Sequence, residues 1–126
     1  MFLLNDVIQA DVQHALAEDI GSGDVSSALI PAALMVDAEI ISREPMLVCG
    51  LPWFNEVIRQ VNPELSVRWL VKEGDWLDRA CSLGYIQGPA RDLLTAERTA
   101  LNFLQTLSAT ASQTHHYLQA LKGLPT

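Results

Sequence analysis

The chain has 126 residues, with 15 Asp and Glu against 8 Lys and Arg, giving a formal net charge of −7. That length holds one domain with a single sizeable core, and the acidic balance excludes the basic stripe a nucleic-acid surface needs. Hydrophobic residues at 49% and charged residues at 18% describe a folded chain rather than a disordered one.

The opening MFLLNDVIQ lacks a basic leader and an apolar core long enough for a secretion signal, and no apolar run reaches membrane-spanning length. Cys49 and Cys81 have no CxxC or CxxH neighbours, so a reduced cytoplasmic compartment is the expectation. His14 stands alone, and the adjacent His115 and His116 point roughly 100° apart on a helical pattern. No metal site is expected.

In chain order, Asn5 or Asp6 caps a first helix that runs to about residue 18, with Val7, Ile8, Val12, Ala15 and Leu16 as its apolar stripe. The glycine-bearing loop 18–27 has neither GxGxxG nor GxxxxGK. Its acids Glu18, Asp19 and Asp24 would repel phosphate, so it is read as structural. Residues 35–42 alternate as a strand with Val36, Ala38 and Ile40 on one face. Arg43-Glu44-Pro45 interrupts it, and 46–50 gives a second short strand. Leu51-Pro52 opens a second helix with Trp53, Phe54, Val57, Ile58 and Val61 inward, and Asn62-Pro63 ends it. Residues 66–71 alternate again. A tight Glu73-Gly74-Asp75 turn and a loop follow, then a strand over 82–87.

From Gly88 to Tyr117 the sequence reads as a long amphipathic helix. Leu93, Leu94, Ala96, Ala100, Leu101, Phe103, Leu104 and Leu107 spread over about half its wheel at roughly 100° per residue. Glu97 falls inside that arc, where a carboxylate needs a cation or several donors; the plain reading is an ion pair with an arginine from elsewhere in the core. Arg98 lies at the arc's edge. It is either a solvated helix edge or a guanidinium held to grip a carboxylate or phosphate with both prongs. After Ser108 the small polar run SATASQT suggests a break and a further helix over 111–121. The expected class is α+β, with an antiparallel or mixed four-stranded sheet and helices packed on it.

EDIGSGDVSSALIP, ISREPMLVCG, VKEGDWL and above all GPARDLLTAERTALNFLQTLS resemble the amino-terminal part of quinolinate phosphoribosyltransferase. The resemblance covers about residues 16–117. It implies an amino-terminal α/β sandwich over 1–108, with 109–126 a helix leading toward an α/β barrel absent from this sequence. It also implies synthesis of nicotinate mononucleotide, pyrophosphate and carbon dioxide from quinolinate and phosphoribosyl pyrophosphate with Mg2+, in NAD biosynthesis. The partners implied are these small molecules and further copies of the chain, as a homodimer or higher homo-oligomer, with no nucleic acid and no membrane.

Arg98, in Ala96-Glu97-Arg98-Thr99-Ala100-Leu101-Asn102, occupies the place of the family arginine that reaches a quinolinate carboxylate in the neighbouring subunit's site. Glu97 and Asn102 are candidates to orient it, and Arg43 is a weaker candidate. No catalytic residue and no metal ligand is assigned to this chain, which is expected to be inactive alone and to serve as a dimerisation and lid domain. Ala109 stands where the family usually has glycine, which bears on the helix break. Two alternatives are a molybdenum-transport-associated paralogue and a non-catalytic interaction module. The turn Lys72-Glu73-Gly74-Asp75 also resembles that of biotinyl and lipoyl carriers, but no lysine stands at a second hairpin tip.

Overall fold

A computed structural model describes residues 2–21, 30–31 and 33–122. The elements are α1 (Phe2–Gly21), β1 (Met35–Ser42), β2 (Met46–Leu47), α2 (Leu51–Val61), β3 (Ser66–Trp69), β4 (Trp76–Leu77), β5 (Cys81–Pro89) and α3 (Ala90–Lys122). β1 and β3 flank β5, antiparallel to it, in a three-stranded sheet ordered β1-β5-β3. β2 and β4 form a separate antiparallel ribbon. The α+β class holds, but the strands part into two sheets rather than one of four.

The parting has local causes. At the end of β1 the hydroxyl of buried Ser42 donates to the Glu44 carbonyl at 2.6 Å, turning the chain out of the first sheet before Pro45. In the 72–75 turn the Asp75 amide donates to the Lys72 carbonyl at 3.0 Å, and the Lys72 amide donates to Asp75 Oδ2 at 2.9 Å. That fold-back lays Trp76 and Leu77 beside Leu47 and Met46. Two residues are too few for an alternation signal, so β4 reads as loop in the sequence.

α2 has the predicted bounds. Its first amides are held from a distance in sequence: Gly50 N–H donates to Glu73 Oε2 at 2.9 Å and Oε1 at 3.1 Å, and Leu51 N–H donates to Oε1 at 3.0 Å. A carboxylate there satisfies orphan donors and meets the positive end of the helix. Gly50 has φ 111, and a Cβ on it would lie 3.1 Å from Leu107 Cδ1 and 3.3 Å from the Phe103 carbonyl. The left-handed conformation calls for glycine here, and a Cβ would also need Leu107 and the Phe103 carbonyl to give by a few tenths of an ångström.

The core takes Ile8, Val12 and Leu16 from α1, Phe54, Val57 and Ile58 from α2, Ile40, Leu83 and Ile86 from the sheet, and Leu93, Ala96, Ala100 and Leu104 from α3. α1 begins at Phe2, so Asn5 and Asp6 lie within the helix rather than capping it. Nothing in Phe2-Leu3-Leu4 disfavours a helix, and the polar pair is no barrier to extending it.

α3 runs unbroken for 33 residues, and the expected break after Ser108 is not there. The small polar residues serve packing instead. Ser108 Oγ donates to the Cys49 carbonyl at 2.9 Å and accepts from the Cys49 amide at 3.0 Å. One turn on, Ser112 Oγ accepts from the Leu47 amide at 2.9 Å. Thr110 and Thr114 hydroxyls donate to the carbonyls four residues back, at 3.1 Å each, which accommodates them inside a helix.

Candidate functional site

α3 is the platform. Ala96 and Ala100 are fully buried and Thr99 nearly so, which fixes the helix's rotation and turns Arg98 and Asn102 outward. Arg98, Leu101, Asn102 and Gln105 line a depression of about 390 Å³ together with Asp19 from the last turn of α1. The Thr99 hydroxyl donates to Asp19 Oδ2, tying α1 to α3 beside Arg98. The depression thus offers one guanidinium, two carboxamides and one engaged carboxylate, all on helices.

The arginines divide into two groups. Arg59 grips Glu56 through Nε at 2.9 Å and Nη2 at 2.5 Å. Arg91 donates through Nε and Nη2 to the Ile30 carbonyl, Arg79 pairs with Asp78, and Arg68 lies 5.5 Å over the Tyr85 ring. Arg43 and Arg98 are exposed and make no hydrogen bond or ion pair among the described residues. These are the two arginines singled out in the sequence.

They lie on different banks. Arg43 lines two further depressions, one with Ser42, Glu44, Met46, Leu104 and Ser108, the other with Glu39, Ile40, Leu93 and Glu97. All three depressions share Leu101 and Gln105. Arg98 and Arg43 therefore flank one ridge of α3.

Glu97 corrects the sequence reading. It is exposed and has no ion pair among the described residues, so the pairing with a core arginine is absent. The reason is coverage: the three-stranded sheet is too narrow to close over this side of α3, where Leu94 is also 37% exposed and Leu101 half-buried. Glu97 faces the Arg43 side rather than the Arg98 depression. Asn102 does share the depression with Arg98, although no hydrogen bond joins them. Asp19 and Gln105 were missed as members of this site. Gln105 could have been found, because it stands seven residues after Arg98 on the same helical stripe. Asp19 comes from another element, and no spacing reveals it. The loop weighed as a phosphate cradle lies largely outside the described residues, as 22–29.

Among the described residues no group of three His, Cys, Asp or Glu could hold a metal ion, and no helix is long and apolar enough to cross a membrane. The family model for the quinolinate phosphoribosyl transferase N-terminal domain matches residues 24–108, more than half of the chain. The chain belongs to that family.

A rice relative named nicotinate-nucleotide pyrophosphorylase (carboxylating), chloroplastic, is 36% identical over 109 residues, 85% of this chain and 29% of the relative. A probable nicotinate-nucleotide pyrophosphorylase from Synechocystis is 32% identical over 120 residues, covering 95% of this chain and 41% of that one. The solved nicotinate-nucleotide pyrophosphorylase of Francisella tularensis superposes with a TM-score of 0.89 at 35% identity, over 94% of this chain and 43% of that one. The chain thus spans less than half the length of these relatives. As a family member it contributes the amino-terminal α+β domain, and the Ala96-Glu97-Arg98 segment falls inside the matched region.

Proposed function

We propose that this chain is the amino-terminal domain of a quinolinate phosphoribosyltransferase, in which Arg98 grips a quinolinate carboxylate in the active site of the neighbouring subunit. The observation that carries the proposal is Arg98 itself. It is a guanidinium without a partner among the described residues, held on the rigid, buried-backed helix α3 at the edge of a polar depression. A forked, permanently charged donor suits a planar carboxylate better than any other side chain.

In the reaction, the pyridine nitrogen forms a bond to ribose C1 as pyrophosphate departs. The ring carboxylate next to that nitrogen then leaves as carbon dioxide, and a proton takes its place. Fixed charge at the site lowers both barriers. Arg98 holds the dicarboxylate in register and closes the site against water, and neither a catalytic acid nor a base is assigned to this chain. The Mg2+ that accompanies phosphoribosyl pyrophosphate finds no fit here, since no metal-holding group occurs among the described residues.

In this reading residues 1–108 are the lid and dimerisation unit of a cytoplasmic homodimer or higher homo-oligomer, and the end of α3 leads on to the barrel. Tyr117, Leu118 and Leu121 are 65%, 51% and 42% exposed, which supports a covering domain at that end. The test is nicotinate mononucleotide formation from quinolinate and phosphoribosyl pyrophosphate with Mg2+, by the full-length protein carrying this domain and by the 126-residue chain alone. Turnover by the former and none by the latter is expected. A full-length protein inert toward quinolinate overturns the proposal.

A further inference from the structure

We infer that Gln105 is a substrate-positioning residue whose carboxamide donates to the ligand that Arg98 grips. The inference rests on the proposed function and deepens it. Arg98, Asn102 and Gln105 stand at i, i+4 and i+7, within about 60° of one another on the wheel. All three line the same depression with Asp19. At 1.5 Å per residue the Cα atoms of Asn102 and Gln105 lie about 6 and about 10 Å along the axis from that of Arg98. Side chains on a helix all lean toward its amino terminus, so Arg98 and Gln105 keep this offset along the axis and present their polar ends to the same depression.

Three other carboxamides serve the fold among the described residues. Asn55 accepts from the Trp69 indole at 2.8 Å, and Gln60 donates to Glu56 at 2.7 Å and to the Gln9 carbonyl at 3.2 Å. Asn62 donates to Asp92 at 2.8 Å. Gln105 is exposed, bonds to nothing among the described residues, and lies where all three depressions around Arg98 and Arg43 meet. With Asp19 in the same depression and Glu97 one bank away, a neutral donor there offers N–H groups to a second carboxylate without adding negative charge.

The test is steady-state kinetics of the full-length enzyme as wild type, Gln105→Ala, Gln105→Glu and Arg98→Ala. Losing one hydrogen bond to a charged ligand raises KM for quinolinate about tenfold in Gln105→Ala. Replacing the donor by a repelling carboxylate raises it about a hundredfold in Gln105→Glu. KM for phosphoribosyl pyrophosphate and the melting temperature stay unchanged, because the side chain is exposed and holds nothing in the fold. A quinolinate KM within about twofold of wild type in both variants overturns the inference. So does an effect of Gln105→Glu alone, which marks a nearby but unbonded side chain, or a parallel rise in both KM values with a fallen melting temperature. Arg98→Ala separates the two levels. If it leaves the quinolinate KM unchanged, the proposed function fails; if it raises the KM while the Gln105 variants are silent, only the present inference fails.

Discussion

Ser108→Ala tests why α3 passes through a run of small polar residues without breaking. Ser108 is 2% exposed, and its hydroxyl serves both the amide and the carbonyl of Cys49. Removing it leaves the amide and the carbonyl of half-buried Cys49 without that partner. An orphaned buried group costs roughly 1–3 kcal/mol, and with Cys49 only half-buried the variant loses about 2 kcal/mol for the two groups together. Ser112→Ala gives up one bond at a half-buried position, and about 1 kcal/mol is expected. For a domain of this size the larger loss lowers the melting temperature by about 8 °C. The assay is urea denaturation followed by far-ultraviolet circular dichroism, with the slope unchanged between variants. A Ser108→Ala midpoint equivalent to less than about 0.5 kcal/mol of destabilisation would refute the reasoning, since that is the range of inconsequential surface changes.

Gly84→Ala is expected to cost about 2–3 kcal/mol in the same assay, because the new Cβ would sit 2.4 Å from the Arg68 carbonyl and force β3 away from β5. A wild-type midpoint would show that the two strands are not in this register. Burial pushes the Cys49 thiol above its ordinary pKa, and the charge and hydrogen bond of Glu73 push it further. Less thiolate is therefore present at any given pH, so Cys49 alkylates slowly near pH 8 and its rate keeps climbing past the pH at which a free thiol levels off. The linked stability is present while the thiol is protonated and is lost as pH rises through the folded-state value. Mass-spectrometric mapping of iodoacetamide labelling against pH checks this, and a free-thiol profile at Cys49 contradicts it.

The parts of the fold legible in the sequence are those where local chemistry and packing agree. Leu51-Pro52 and Asn62-Pro63 bound α2 because proline and the residue before it restrict the backbone whatever packs around them. The start of α3 after Gly88-Pro89 is legible for the same reason. Its continuation past Ser108 is not, because a serine that stitches a helix to a neighbouring strand looks in sequence like one that ends a helix. Glu97 shows the limit of a helical wheel, which ranks directions but cannot say how far the sheet extends to cover them. Arg98 and Asn102 could be placed together because one helix carries both. Asp19 could not, because its place beside them depends on how α1 packs. The two-residue β4 lies below the length at which periodicity carries information.

The central claim is that Arg98 acts in the neighbouring subunit's site, and subunit mixing tests it most directly. Full-length Arg98→Ala protein is dissociated and reassembled with an equal amount of full-length protein inactivated within its own barrel. Half of the resulting dimers are hybrids, each with one site that combines an intact barrel and an intact Arg98, so about a quarter of wild-type activity returns. A mixture no more active than its two components would contradict the account, and Arg98 would then belong to its own subunit's site or to none.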